Sequence, residues 1–158
     1  MLLITLKKNE LLYDIEYMSY KVAKVHFLDT QPQSAAEVTV AEDDRDFVDR
    51  LLHSAFANVN DTLQWCVDSR PRTVATDKVC PDVKEYDLVL NIDDKRRTIA
   101  DALCSAIHDY VVHHALYHYM LMTAPAFAPS FAALAESDIN KAYSLARNNT
   151  GYKYYSWR

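Results

Sequence analysis

The residues best suited to chemistry in this chain are four histidines gathered between positions 108 and 118: His108, His113, His114 and His118. His114 and His118 stand four apart, which puts both imidazoles on one face of a helix, the spacing by which two histidines grip one metal ion. The metalloprotease form of that pair requires a glutamate directly after the first histidine, and Ala115 stands there instead. A di-iron bundle centre would require Glu-x-x-His, and no such tetrad occurs in the chain. The expected reading is therefore ordinary surface or interface histidines, with no metal and no cofactor. Paired carboxylates occur at Asp43-Asp44 and Asp93-Asp94, but adjacent positions on a helix do not face each other, and both pairs sit where helix caps are expected. Cys66 and Cys104 fall among apolar helical positions, where cysteine behaves as a small hydrophobe rather than as a nucleophile. No G-x-S-x-G elbow is present, and the only glycine, Gly151, excludes phosphate-cradling loops and dinucleotide fingerprints. No catalytic residue is predicted, and the chain is not expected to be an enzyme.

What remains is contact chemistry. Tyr152, Tyr154, Tyr155 and Trp157 crowd the last residues beside Lys153 and Arg158. They offer amphipathic aromatic area of the kind that dominates interface hot spots, on a terminus able to reach a neighbour. The alternatives are that this tail packs back on its own bundle or stays disordered. A second candidate contact is Tyr86, Leu88, Leu90 and Ile92, which alternate with Asp87, Val89 and Asn91. That period of two predicts a short strand or extended arm with one apolar face. Because a lone strand is not stable in water, it must pair with residues 1–6, with residues 38–40, or with the edge of another subunit.

The elements that must position these residues are mostly helical. Leu11, Ile15, Met18, Val22 and Val25 recur at spacings of four and three, predicting a first helix that ends near Leu28. Glu42-Asp43-Asp44 opens a second, with Phe47 or Val48, Leu51 or Leu52, Ala55, Val59, Leu63 and Cys66 or Val67 inward and Pro71 as its latest end. A third helix starts at Asp93 or Asp94 and turns Ile99, Leu103, Ala106, Tyr110, Ala115 or His114, Tyr117 and Leu121 to the core, ending near Thr123. A fourth runs within Phe127 to Asn148 with a break predicted at Ser137. The predicted fold is mainly α: a bundle of about four helices, with a short strand or extended arm between the second and third long helices. Residues 1–150 form a single helical domain, and 151–158 an aromatic C-terminal tail.

Seventeen basic against 22 acidic residues give a net charge of −5, which argues against bulk attraction to DNA or an anionic membrane. Lys95-Arg96-Arg97 follows Asp93-Asp94 and reads as a solvated helix start. Three cysteines without a C-x-x-C spacing suggest a reducing compartment. The opening Met1 to Leu6 is too short for a signal-peptide core, and Pro125 and Pro129 interrupt the uncharged stretch from Tyr119 to Ala135, so neither secretion nor a membrane span is expected.

The order of these features resembles the small helical head-to-tail connector and tail-completion (neck) proteins of tailed bacteriophages and prophages. The residues that carry the resemblance run from Glu42 to Ala55, then Leu88 to Ile92, then Ala106 to Tyr119, where an alanine-lined helix behind an acidic start precedes a long helix bearing Leu116-Tyr117. It covers about two thirds of the chain and is a pattern rather than a signature. The resemblance implies a non-enzymatic virion subunit, made in the host cytoplasm, that assembles into a ring with other copies of itself. Portal or tail components would be its neighbours, and it would contact neither nucleic acid sequence-specifically nor a membrane. Residues 71–82 are more polar than an ordered arm would favour, and the first helix is longer than in the simplest connectors. The competing expectation is a cellular helical adaptor or regulatory module that binds one other protein.

Overall fold

A computed structural model describes residues 1–27, 32–67, 83–92 and 97–149. Strand β1 (Leu2–Lys7) leads directly into helix α1 (Lys8–His26), followed by a short helix α2 (Pro32–Val38). A single 3-10 turn, Glu42–Asp44, then opens α3 (Arg45–Thr62). Strand β2 (Glu85–Leu90) precedes the two longest helices, α4 (Arg97–Thr123) and α5 (Ala128–Asn149). Among the described residues the architecture is mainly helical, four long helices with one two-stranded sheet, and the periodicity predicts the helices and the strand β2.

The partner of the predicted strand is the chain's own N-terminus. β1 and β2 pair antiparallel with Leu2 opposite Leu90, Ile4 opposite Leu88 and Leu6 opposite Tyr86. Their inner faces supply Ile4, Leu6, Tyr86, Leu88 and Leu90 to the core, and Ile92 is buried just beyond. A two-stranded ribbon has too little apolar area to stand alone, and here it is held against α1 and α4. The Met1 ammonium donates to the Ile92 carbonyl at 3.1 Å, and the Thr5 hydroxyl donates to Asp87 at 2.6 Å on the outer face.

α3 turns Val48, Leu52, Ala55 and Val59 inward, each a predicted position or one of a predicted pair, and Leu63 and Cys66 are buried in the turn that follows the helix. The acidic run in front of it forms the 3-10 turn rather than a simple cap. The Asp44 carboxylate accepts the Ala41 N–H at 3.0 Å and the Tyr119 hydroxyl at 3.1 Å, which ties the turn to α4.

α1 ends close to where predicted but differs from its prediction in rotation. Leu11, Ile15, Ser19 and Ala23 are buried, Met18 and Val22 are half-buried, and Val25 is exposed; the helix stops at His26. Ser19 fits inside because its hydroxyl donates to the Glu16 carbonyl and accepts the Val40 N–H, so no polar atom of that side chain is stranded.

α4 is the central helix, packing on α1, α2, α3, α5 and β1. With neighbours on so many sides it buries far more than one stripe: Ile107, Val111, Val112, Leu116, Tyr119 and Met120 are all inside. Tyr117, predicted to face inward, is half-buried and Leu121 is exposed. The helix ends because Pro125 has no N–H for the i−4 bond and its ring disfavours a helical Ala124. α5 runs unbroken through Ser137, with no new segment capped there, and packs along α4 with Ala128, Phe131, Ala135, Ala142 and Ala146 buried. The predicted caps Asp93 and Asp94 lie outside the described residues. No helix among the described residues is long and apolar enough to cross a membrane.

Candidate interaction surface

The two predicted contact segments fare differently. Tyr86, Leu88, Leu90 and Ile92 are buried in the subunit's own core, so the apolar face expected to reach a partner is already covered from within. The physical reason is the pairing with β1, which satisfies the backbone of β2 and turns its apolar side onto the helices. Tyr152, Tyr154, Tyr155, Trp157 and Arg158 lie outside the described residues.

The histidines of α4 do not converge on one point. His108 Nε2 lies 2.8 Å from Asp14 on α1, His113 Nδ1 lies 2.7 Å from Asp138 on α5, and His114 Nε2 lies 3.2 Å from the Asn58 amide on α3. They act as struts from the central helix to three neighbours. His114 and His118 are adjacent, as their spacing requires, with ring centroids 4.7 Å apart. Burial holds the His114 imidazole below its usual pKa, and the charge of His118 lowers it further. Among the described residues no cluster of three or more His, Cys, Asp or Glu is arranged to hold a metal ion.

The other buried polar pair is Lys8 with Asp49, whose side chains form an ion pair between the start of α1 and the first half of α3. Tyr86 stands near this carboxylate. Burial pushes its hydroxyl pKa up to about 12, and the negative charge of Asp49 adds to the shift. Burial likewise raises the Cys66 thiol to about 11, and Cys104 is raised by burial and by Asp101. A thiolate nucleophile is thereby disfavoured at both described cysteines.

The surface that stands out is one the sequence reading passed over. On α1, opposite the buried row Leu11, Ile15, Ser19 and Ala23, three tyrosines face solvent: Tyr13 is 62% exposed, Tyr17 49% and Tyr20 46%. Tyr13 and Tyr17 stack with centroids 6.3 Å apart and planes within 10°, and the Lys21 ammonium lies 5.1 Å from the centre of the Tyr17 ring. Glu10, Lys21 and Lys24 are exposed on the same side. Tyrosine contributes rigid, half-apolar area and is enriched in interface hot spots. A legible signal was present: Tyr13, Tyr17 and Tyr20 are spaced four and three apart, a helical stripe in its own right on the face that the core does not use.

This arrangement supports binding through an aromatic, mixed-charge helix face. Comparison with known proteins finds no family model, no curated protein and no solved structure that matches the chain.

Proposed function

We propose that this chain is a non-enzymatic structural subunit of a phage particle: a head-to-tail connector, adaptor or tail-completion protein that works through protein–protein contacts in a ring. Its partners in this reading are other copies of itself and neighbouring portal or tail components, and its location is the virion, after assembly in the host cytoplasm. The observation that carries the protein-binding part is the solvent-facing stripe Tyr13, Tyr17 and Tyr20 on α1. Its polar chemistry supports the same reading, because three of the four α4 histidines are engaged by residues of three other helices rather than gathered at one reacting point.

The virion part is supported by the order of elements. An acidic turn leads the alanine-bearing α3, an extended strand follows, and a long α4 carries Leu116-Tyr117 before a shorter α5. Contacts between ring neighbours fall to helix faces, since the apolar side of β2 is spent inside the subunit.

The decisive experiment is deletion of the gene from the phage or prophage genome that encodes it, followed by electron microscopy of induced lysates. The expected result is filled heads and free tails that fail to join, restored by supplying the protein in trans. Normal, infectious, tailed particles in the deletion strain would refute the proposal. A chain that instead copurifies with a single host protein would place it with the cellular adaptors.

A further inference from the structure

We infer that α1 is a self-complementary docking face, and that its occupant is the α1 of a second copy of this chain, running antiparallel about a twofold axis at Tyr17. The residues along the crest of the exposed face are Glu10, Tyr13, Tyr17, Tyr20 and Lys24, all exposed. Their spacing is three, four, three, four, the repeat that keeps one seam of a helix facing a partner helix along its length. Within the subunit, α1 turns Leu11, Ile15, Ser19 and Ala23 to the core, so this seam is a second, outward one.

The order of charges along the seam selects both the partner and the direction. An acid stands at one end and a base at the other, with tyrosines between. With a twofold axis through Tyr17, Glu10 falls opposite Lys24 of the second copy, and Lys24 opposite Glu10 of the second copy. Tyr17 meets its own counterpart, and Tyr13 comes level with Tyr20 of the second copy to within one residue, about 1.5 Å along the axis. Two ion pairs thus close the ends of a tyrosine layer about 21 Å long. A parallel pairing would set Glu10 against Glu10 and Lys24 against Lys24, so like charges exclude it. The contact is isologous and closes at two copies, which is the commonest symmetry of soluble oligomers.

One helix face of four turns is smaller than the roughly 800 Å² per partner of a standard interface, so association is expected in the micromolar range and reversible. This pairing does not rest on the virion reading. A closed pair does not propagate a ring, so in a particle it would hold subunits as dimers before assembly while other faces form the ring, and in a cellular adaptor it would hold the dimer directly.

The test is sedimentation velocity on the full chain from about 1 to 500 μM, a range that brackets the expected constant. The native chain should pass from monomer to dimer. Lys24→Glu places two acids opposite each other at both ends of the seam and should weaken dimerisation about tenfold or more, with Glu10→Lys doing the same. The charge swap Glu10→Lys with Lys24→Glu should restore the native constant, a rescue that damage to the fold would not produce. Tyr17→Asp should leave a monomer with an unchanged circular dichroism spectrum. A native chain that stays monomeric throughout, or an oligomer indifferent to Lys24→Glu and Tyr17→Asp, overturns the inference, as does an α1 face protected only when another protein is added.

Discussion

Replacing Lys8 with methionine should destabilise this protein far more than removing a lysine from a helix start normally does. Lys8 is the first residue of α1, where a cation meets the positive end of the helix dipole and is mildly unfavourable. Its compensation is Asp49, one of two buried polar residues among those described. The paired side chains are only 13% and 10% exposed, and Asp49 Oδ1 is shielded with no hydrogen-bond partner among the described residues. Truncating one member of such a pair leaves a charge out of water and costs about 3–5 kcal/mol; the residual exposure here puts it near the lower end, about 3. Relief at the helix start returns about 0.5 kcal/mol, leaving a net loss of about 2.5. With a urea slope of about 2 kcal/mol per molar for a chain of this size, the midpoint should fall by about 1.2 M. The assay is urea unfolding followed by circular dichroism, with Lys8→Met/Asp49→Asn as the second variant. Neutralising the stranded carboxylate should recover more than half of the loss. The reasoning fails if Lys8→Met lowers the midpoint by less than about 0.3 M, the behaviour of an exposed pair, or if the double variant is no more stable than the single one.

Further outcomes follow from the placement of individual side chains. Leu116→Ala, in the buried face of α4, should cost about 2–5 kcal/mol, whereas Leu121→Ala, on the exposed face of the same helix, should change stability by under about 0.5 kcal/mol; chemical unfolding of the two separates the observed rotation of α4 from the predicted one. His114 has a folded pKa below its usual 6.5, so the unfolded chain binds its proton first. Its contribution is complete above pH 6.5 and is lost as the pH falls below that toward the folded pKa; in His114→Gln the decline of melting temperature over that acid window should be shallower. Cys66, with its thiol raised to about 11, and Cys104, also raised, should label slowly with a thiol reagent at pH 8 in the native protein and rapidly in urea, as peptide mass spectrometry would record.

How far the fold was legible depends on how many faces each helix buries. α3 has one, and its three-and-four spacing picks out Ala55, Val59 and Leu63 directly and leaves only the choices between Phe47 and Val48 and between Leu51 and Leu52 to the packed structure. α1 also has one core face, but that face contains Ser19 and Ala23, and hydropathy prefers the larger Met18, Val22 and Val25 beside them. The buried residues recur strictly every four positions, a row that drifts around the helix as it rises. Such a drifting row follows neighbours that cross at an angle, and only the packed structure supplies that angle. α4 is the opposite case: so much of its circumference is apolar and covered that no single stripe can be read from it, and the predicted inner face ran past the core at Leu121.

The inward placement of the β2 face has a related reason. The alternation from Tyr86 to Ile92 identified a strand with one apolar face, but whether that face meets the same chain or another is decided by a partner more than eighty residues away in sequence. Local pattern contains no term for that choice. The segment 1–6 was among the candidate partners, and once it pairs, the strand ceases to be a surface at all. Tyr13, Tyr17 and Tyr20 were overlooked because each can be counted as apolar or polar, and a search for one core stripe per helix assigns them to neither side. A helix that buries Leu11, Ile15, Ser19 and Ala23 and carries a regular aromatic row outside has two faces, of which the core uses one. The inner face packs on α2 and α4 of its own subunit, and the outer face is the one on which the proposed pairing of two copies would act.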